Sequence, residues 1–476
     1  MRRATPPVTI CLILLLSLSA CESEPSAAPN VILISLDSLR ADHVGCYGYD
    51  RETTPQLDQL AAKGAHFQNV VAETSWTLPA HATMFTGVPS AVHGVTADQR
   101  LGNEHPTLAR VLSRHGYRTR GLWSGPYLHP VFRLDRGFSP GDYEGVIATS
   151  YDQLPTDLGA KQFSKLRDET NRDSHKGATS PRVVSRAIEF LEDPGPKPFF
   201  LFLHLFDIHY DFEPPEEIWR QFDADYEGDL EATNFLKNKR INRSMEASEL
   251  DHVLALYDGE IFFTDQHLGR LFEAVDRLGL GDNTLIMVTA DHGDEFFEHQ
   301  KKGHRKTLFD EVIAVPLIAA GAGVTVTGAG LPDLVHHMDI MPTILEMLGI
   351  PCPEAVMGRS FAPLLKGHAM DRERLLPALL VRSPNERLAS IRADAWKAVW
   401  DIGPDDSVFQ IYDLEDDPGE QNPLQVPDND PRRRLAEQAF DHYALGGQSA
   451  DSEDESGQPD LPDALEQQLR ELGYLK

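Results

Sequence analysis

Asn30-Val-Ile-Leu-Ile-Ser-Leu36 is an apolar run of strand length that ends in Asp37-Ser-Leu-Arg-Ala-Asp-His43. A strand with one wet face alternates polar and apolar residues. A run without alternation belongs to a strand covered on both faces, the habit of parallel sheets. In open parallel sheets ligands collect beyond the carboxyl ends of the strands, where Asp37 falls. Two further runs have the same form. Phe199-Phe-Leu-Phe-Leu-His-Leu205 ends in Phe206-Asp-Ile-His-Tyr210, and Thr284-Leu-Ile-Met-Val-Thr-Ala290 ends in Asp291-His-Gly-Asp-Glu295. Three strand ends thus deliver Asp37, Asp207 with His209, and Asp291 with His292. Taken singly, each is as readily a capping Asp or a hydrogen-bonded core His. Together, carboxylate and imidazole donors suit a divalent cation.

Between the runs the spacing turns helical. Thr54 to Gly64 reads as a capped helix with a glycine stop, and further helices fall near Thr107 to His115, at Arg182 to Leu191 and from about Leu250 to Leu278. Short strands are expected at Gly121-Leu-Trp-Ser124 and Val315-Pro-Leu-Ile-Ala-Ala320. Strands alternating with helices predict an α/β fold with a large, mostly parallel sheet flanked by helices, over residues 30–375. From 376 to 448 the pieces shorten, as in Leu388-Ala-Ser-Ile-Arg-Ala393, Trp396-Lys-Ala-Val-Trp400 and Gln410-Ile-Tyr-Asp-Leu414, and predict a small antiparallel sheet subdomain. An acidic linker (449–461) and a terminal helix (462–476) follow. Residues 125–180 and the charged insertion 211–248 carry no motif and fit loops that shape a substrate pocket.

One stretch has no strand character but bears on chemistry. In Thr74-Ser-Trp-Thr-Leu-Pro-Ala-His-Ala-Thr-Met-Phe-Thr-Gly87, Pro79 suits a helix start and Gly87 a stop. The Thr77 hydroxyl then stands at a helix N-terminus, where free amides and the macrodipole favour anions. It is either a capping group or, beside a metal, a nucleophile.

Composition narrows the partners. The 476 residues carry a net charge of -30 with 41% hydrophobic residues. A chain this acidic is a poor partner for nucleic acid or an anionic membrane surface, and it must hold any anionic substrate with local cations. Arg2 and Arg3 precede the apolar run Val8 to Leu18 and then Leu18-Ser-Ala-Cys21, which resembles a bacterial lipobox. Residues 1–21 therefore read as a lipoprotein leader, with Cys21 as the acylated membrane anchor and 22–29 as a tether, placing the protein in the bacterial cell envelope. The other cysteines, Cys46 and Cys352, make no disulfide framework.

With these residues in view, the chain resembles the sulfatase branch of the alkaline-phosphatase superfamily. The resemblance runs through Asn30 to Asp37, Thr77 to Gly87, Leu201 to His209, Tyr257-Asp-Gly-Glu260, Thr289-Ala-Asp-His-Gly293, Gly303-His304 and Thr307 to Pro316. It continues in Met338-Asp-Ile-Met-Pro-Thr343, Gly358-Arg-Ser360 and Tyr412-Asp-Leu-Glu-Asp-Asp-Pro418. It implies an alkaline-phosphatase-like α/β domain with a smaller C-terminal sheet. It implies metal ligation by Asp37, Asp291 and His292, with Thr77 as nucleophile and further ligand, and it implies that His209 and His304 contact the transferred group or assist the leaving group. Lys306 is a candidate beside His304.

The departures are chemical. Family members carry Cys or Ser at the nucleophile position, oxidised to formylglycine and followed by x-Pro-x-Arg. Here Thr77 stands at that position and His81 at the Arg, in the catalytic set, while Ser38 replaces the second Asp of an Asp-Asp pair. Threonine cannot become that aldehyde. Two carboxylates, an imidazole and an alkoxide suit Mn²⁺ or Zn²⁺ better than Ca²⁺. A sulfated threonine also lacks the exit that a formylglycine hydrate has, whereas a phosphothreonine is open to displacement. The expected activity is extracytoplasmic, metal-dependent hydrolysis of phosphate mono- or diesters of small-molecule, glycan or lipid substrates. The alternatives are a transferase of phospho-substituents onto envelope glycan or lipid, a sulfuric ester hydrolase without formylglycine, and a catalytically silent envelope binding protein.

Overall fold

The computed structural model describes residues 28–96, 99–146, 178–371, 374–383, 385–402 and 408–444. The expected leader, most of the tether, the acidic linker and the terminal helix lie outside the described residues.

Strand β1 (Asn30–Leu36) is buried along its whole length, as its unbroken apolar run requires. After helix α1 (Pro55–Lys63), with Pro55 as first residue and Gly64 as stop, comes β2 (Ala65–Val71). Helix α2 (Thr77–Thr86) follows, then a helix Leu108–Arg114 whose first turn is closed by the Thr107 hydroxyl accepting from the Arg110 amide. Strands β3 (Arg118–Trp123) and β4 (Tyr143–Gly145) precede the helix Ser180–Glu192 and β5 (Phe199–Leu205). The long helix Ala247–Arg277 leads into β6 (Thr284–Ala290), a two-residue hairpin pair β7 (Glu295–Phe296) and β8 (Lys302–Gly303), then β9 (Leu317–Gly321) and β10 (Ala329–His336).

The main sheet has the order β10-β2-β9-β6-β1-β5-β3-β4. β1 lies between β6 and β5 and runs parallel to both. These three central strands are buried at every position. Each buried Leu, Ile, Val or Phe side chain contributes roughly 1.5–3 kcal/mol, so their carboxyl ends form a rigid platform. The strand expected at Val315–Ala320 begins at Leu317, and it runs antiparallel to both β2 and β6, which makes the sheet mixed but mostly parallel.

A second sheet, β11 (Leu376–Ser383), β12 (Glu386–Arg392), β13 (Trp396–Ile402) and β14 (Phe409–Asp413), is antiparallel throughout and packs with the helix Pro431–Ala444. Cys46 and Cys352 are both free thiols. Among the described residues no helix is long and apolar enough to cross a membrane.

Candidate active site

Strand register assembles the site. Leu36 pairs with Ala290 on one side and Leu205 on the other, so Asp37 and Asp291 are the first residues beyond neighbouring strand ends. Asp291 Oδ1 accepts from the amides of Ser38 (3.1 Å) and His292 (2.9 Å), while Asp37 Oδ1 accepts from the Ser38 hydroxyl at 2.9 Å. Ser38 takes the left-handed conformation, φ 61°, which costs a non-glycine residue energy and is held by these contacts.

The His292 ring is oriented from behind. Its Nδ1 donates to the Gly293 carbonyl at 3.1 Å, which leaves Nε2 as a bare lone pair. That nitrogen faces Thr77 Oγ1 at 3.3 Å, Asp291 Oδ2 at 3.5 Å and Asp37 Oδ1 at 3.9 Å. Asp37, Asp291 and His292 are wholly buried, and one ligand atom from each lies within 4.8 Å of the others. Two of the carboxylate oxygens, Asp37 Oδ2 and Asp291 Oδ2, have no hydrogen-bond partner. Burial pushes the Asp37 carboxyl up to about 6, against the pull of His292, Ser38 and Thr77. Inward-facing, unsatisfied carboxylate oxygens beside an imidazole lone pair fit a divalent cation.

Thr77 is the first residue of α2, and Trp76 occupies the cap position, so capping does not account for the Thr77 hydroxyl. Every residue of α2 is buried. Gly87 ends the helix in the left-handed conformation, φ 68°.

One turn into α2, His81, expected from the sequence in the catalytic set, does not take over the charge of the Arg it replaces. Its Nδ1 donates to the Thr77 carbonyl at 2.7 Å and its Nε2 accepts from the Ser35 hydroxyl at 2.9 Å. Burial holds it neutral, with a pKa lowered to about 3. Both ring nitrogens are committed, so the side chain braces the start of α2 against β1 and offers nothing to a substrate.

His304 arrives from the segment after β8. Its Nδ1 is 2.7 Å from Asp294 Oδ1, and its Nε2 points toward the Tyr210 hydroxyl at 3.5 Å. The His292 ring centroid is 4.3 Å away. Burial pushes Asp294 up and His304 down, which favours a net-neutral pair with a proton on the Asp–His contact. His209 stacks on Phe206 at 4.4 Å and meets His304 edge-on at 5.0 Å, so the structure brings these two histidines together.

Two expected groups turn elsewhere. Asp207 accepts from the amides of Thr179 (2.7 Å) and Ser180 (2.8 Å), tying down the start of the helix Ser180–Glu192. Lys306 donates to the Lys302 carbonyl and faces Asp294 and Glu295, close enough to His304 to bear on its charge. The neighbouring Arg305 is the cation at the start of α2, its guanidinium 3.5 Å from the Trp76 ring centroid and donating to the Tyr127 hydroxyl at 3.2 Å.

Two buried residues were missed from sequence. Asp294 stood in view in Asp291-His-Gly-Asp-Glu295, three residues past a ligand candidate, but its pairing with His304 depends on the β7–β8 hairpin. His204 lay inside an apolar strand run. Its signal was being the one polar residue there, opposite Ser35 in the register and so on the face that carries Asp37.

Comparison with known proteins agrees with this geometry. Residues 29–350 match the sulfatase family model, and residues 298–438 match that of the N-sulphoglucosamine sulphohydrolase C-terminal region. The chain is 25% identical over 382 residues to an arylsulfatase of Clostridium perfringens, covering 71% of this chain and 78% of that one. It is 27% identical over 396 residues to the multifunctional alkaline phosphatase superfamily protein PehA of Trinickia caryophylli, covering 71% and 77%. In fold it is similar to the phosphonate monoester hydrolase of Agrobacterium radiobacter, with a TM-score of 0.66 at 23% identity, covering 88% and 96%. The chain belongs to the sulfatase family and is an ester-hydrolysing enzyme.

Proposed function

We propose that the protein is a metal-dependent hydrolase of phosphate mono- or diesters that uses Thr77 as its nucleophile. The observation that carries this is the uncapped Thr77 hydroxyl, 3.3 Å from the lone pair of His292 inside the Asp37, Asp291 and His292 cluster. A divalent cation held by these three residues supplies charge neutralisation and lowers the pKa of a nearby hydroxyl. Mn²⁺ or Zn²⁺ suits the mixed nitrogen and oxygen donors, with Ca²⁺ the less suited choice.

The chain's own residues account for the rest. Thr77 Oγ, which would give up its proton to solvent once the cation is held beside it, attacks phosphorus, a new O–P bond forms, and the bond to the leaving oxygen breaks. His304 Nε2, oriented through Nδ1 by Asp294, delivers the proton that the leaving oxygen needs. Water then attacks the phosphothreonine and gives a proton back to His304 as its oxygen bonds phosphorus, and the Thr77 oxygen departs as the oxyanion that began the cycle. Arg305, fixed over Trp76, supplies a local cation for an anionic substrate in a chain whose net charge is -30. His209 borders the leaving-group side of His304.

Sulfate monoesters are the second reading, because the similar proteins include an arylsulfatase. The same assay separates the two. Protein dialysed free of metal and reloaded with Mn²⁺ or Zn²⁺ is given aryl phosphate mono- and diesters and an aryl sulfate, and intact mass is followed for an adduct. Turnover of a phosphoester is expected to fall by about 10³-fold or more in Thr77→Ala and in Asp291→Asn. Full turnover in Thr77→Ala would sink the mechanism, and aryl sulfate turnover alone would favour the second reading. We also propose an envelope location through acylated Cys21, from Leu18-Ser-Ala-Cys21. Loss of labelled fatty acid from a Cys21→Ala variant tests it.

A further inference from the structure

His204 lies in β5, two positions before Asp37 in the strand register, and is 1% exposed. Its Nδ1 donates to the Ser124 carbonyl at 2.5 Å. A carbonyl only accepts, so the ring proton is fixed there and Nε2 is left as a lone pair. That lone pair sits 3.2 Å from Asp37 Oδ2, yet neither atom has a hydrogen-bond partner. Asp291 Oδ2 is likewise without a partner, and one ligand atom each from His204, Asp291 and His81 lie within 4.8 Å of one another. Two electron-rich atoms facing each other in a buried site repel unless something positive lies between them.

His292 is arranged in the same way, with Nδ1 bound to a backbone carbonyl and Nε2 turned toward the two carboxylates. A backbone carbonyl behind one nitrogen is the usual support for a histidine whose other nitrogen binds metal. His81 differs. Its Nδ1 proton goes to the Thr77 carbonyl and its Nε2 accepts from Ser35, so it has no lone pair to give.

We propose that His204 Nε2 is a further protein ligand of the cation, making a single centre of two carboxylates and two imidazoles. The grouping of His81, His204 and Asp291 is then the back wall of that centre and not a second one. This assignment rests on the metal dependence proposed above. It also strengthens the preference for Zn²⁺ or Mn²⁺, because a second nitrogen suits those ions and not Ca²⁺.

The test uses the purified protein, dialysed free of metal, and Mn²⁺ as the probe. Calorimetric titration gives affinity, elemental analysis gives stoichiometry, and pulsed paramagnetic resonance of the bound Mn²⁺ counts imidazole nitrogens. The wild type is expected to bind one Mn²⁺ per chain with two coupled imidazoles. His204→Ala is expected to bind at least ~10-fold more weakly and to show one imidazole. His204→Asn serves if the Ala variant does not fold, as judged by thermal unfolding without metal. The nitrogen count on the wild type needs no variant at all. A single imidazole in the wild type, or unchanged affinity in both variants, overturns the assignment while leaving the metal-dependent reading intact. Two Mn²⁺ per chain, one of them lost in His204→Ala, overturns the single centre. No Mn²⁺ or Zn²⁺ binding by the wild type overturns this assignment together with the proposed function.

Discussion

Asp294 touches no reacting atom in the proposed chemistry, yet it fixes which nitrogen of His304 faces the leaving group. With Asp294 Oδ1 2.7 Å from Nδ1, the proton for transfer is on Nε2, toward Tyr210 and the His292 side. Asp294→Asn keeps the volume but removes the proton shared on the Asp294–His304 contact, and its amide can hold the wrong tautomer. We expect kcat to fall by roughly 10²-fold or more with KM little changed. A leaving-group series on the proposed phosphoesters makes the role specific. Esters of weakly acidic alcohols need the proton and should lose most in His304→Ala and Asp294→Asn, whereas nitrophenyl esters, whose leaving group departs as an anion, should lose least. Equal losses across the series would show that the pair positions substrate and does not transfer a proton.

Elements differ in how openly the chain announced them. β1, β5 and β6 were legible because burial on both faces leaves an unbroken apolar run, and their polar ends marked the site. β2, Ala-His-Phe-Gln-Asn-Val-Val, mixes polar residues into the strand, and β10 contains Gly330 and Pro332, so neither carries a clean period. The antiparallel course of β9 depends on where β2 and β6 already lie. No local pattern encodes it. For the same reason Asp37, Asp291 and His292 could be read from strand ends, while His204 and Asp294 needed the register and the hairpin. The loop from β2 to α2 holds another unread feature. Buried Glu73 accepts from the Ser90 amide at 2.8 Å and lies 3.6 Å from His336, joining β2, the turn after α2 and β10. Burial raises its pKa from 4.5 to about 8. Between those values the folded chain keeps a proton that the unfolded chain has lost, so this group's stabilisation is full below about 4.5 and drains away as pH rises through 8. Glu73→Gln mimics the protonated form. Its melting temperature relative to wild type should therefore climb between pH 5 and pH 9 (roughly the span of the titration), and a flat difference would refute the shift.

On the scale of the whole molecule, the C-terminal sheet holds the segment that carries His304. Lys397 on β13 is fully buried, with Nζ 2.7 Å from Asp310 Oδ1 and 2.9 Å from Glu420 Oε1. Arg392 on β12 reaches Asp310 Oδ2 at 2.5 Å, and Glu420 also accepts from the Asp310 amide at 2.6 Å. From the other side, His299 is held between Glu311 (2.5 Å) and the Glu420 carbonyl (2.9 Å), and these acceptors raise its pKa to about 9. Residues 299 to 311, with His304 among them, are thus held at the Asp310 end by charges on β12 and β13 and at the His299 end by the backbone carbonyl of Glu420, beyond β14. The metal cluster depends on β1 and β6 instead. These two dependences predict a separable defect. Lys397→Met fills the space but leaves Glu420 without its cation, beside an Asp310 that keeps only Arg392, and removing one partner of a buried pair costs about 3–5 kcal/mol. The cost should be pH-dependent, because Glu420 is already raised to about 7 with Lys397 present. Without the lysine its carboxyl is expected to take up a proton still more readily, so the loss in melting temperature should be smaller near pH 5.5 than near pH 8. At either pH, Mn²⁺ affinity should match wild type while kcat falls, since the strand-end carboxylates stay in place and the His304 segment loosens. Equal loss of metal binding and turnover would mean that the second sheet supports the whole site and not that one segment.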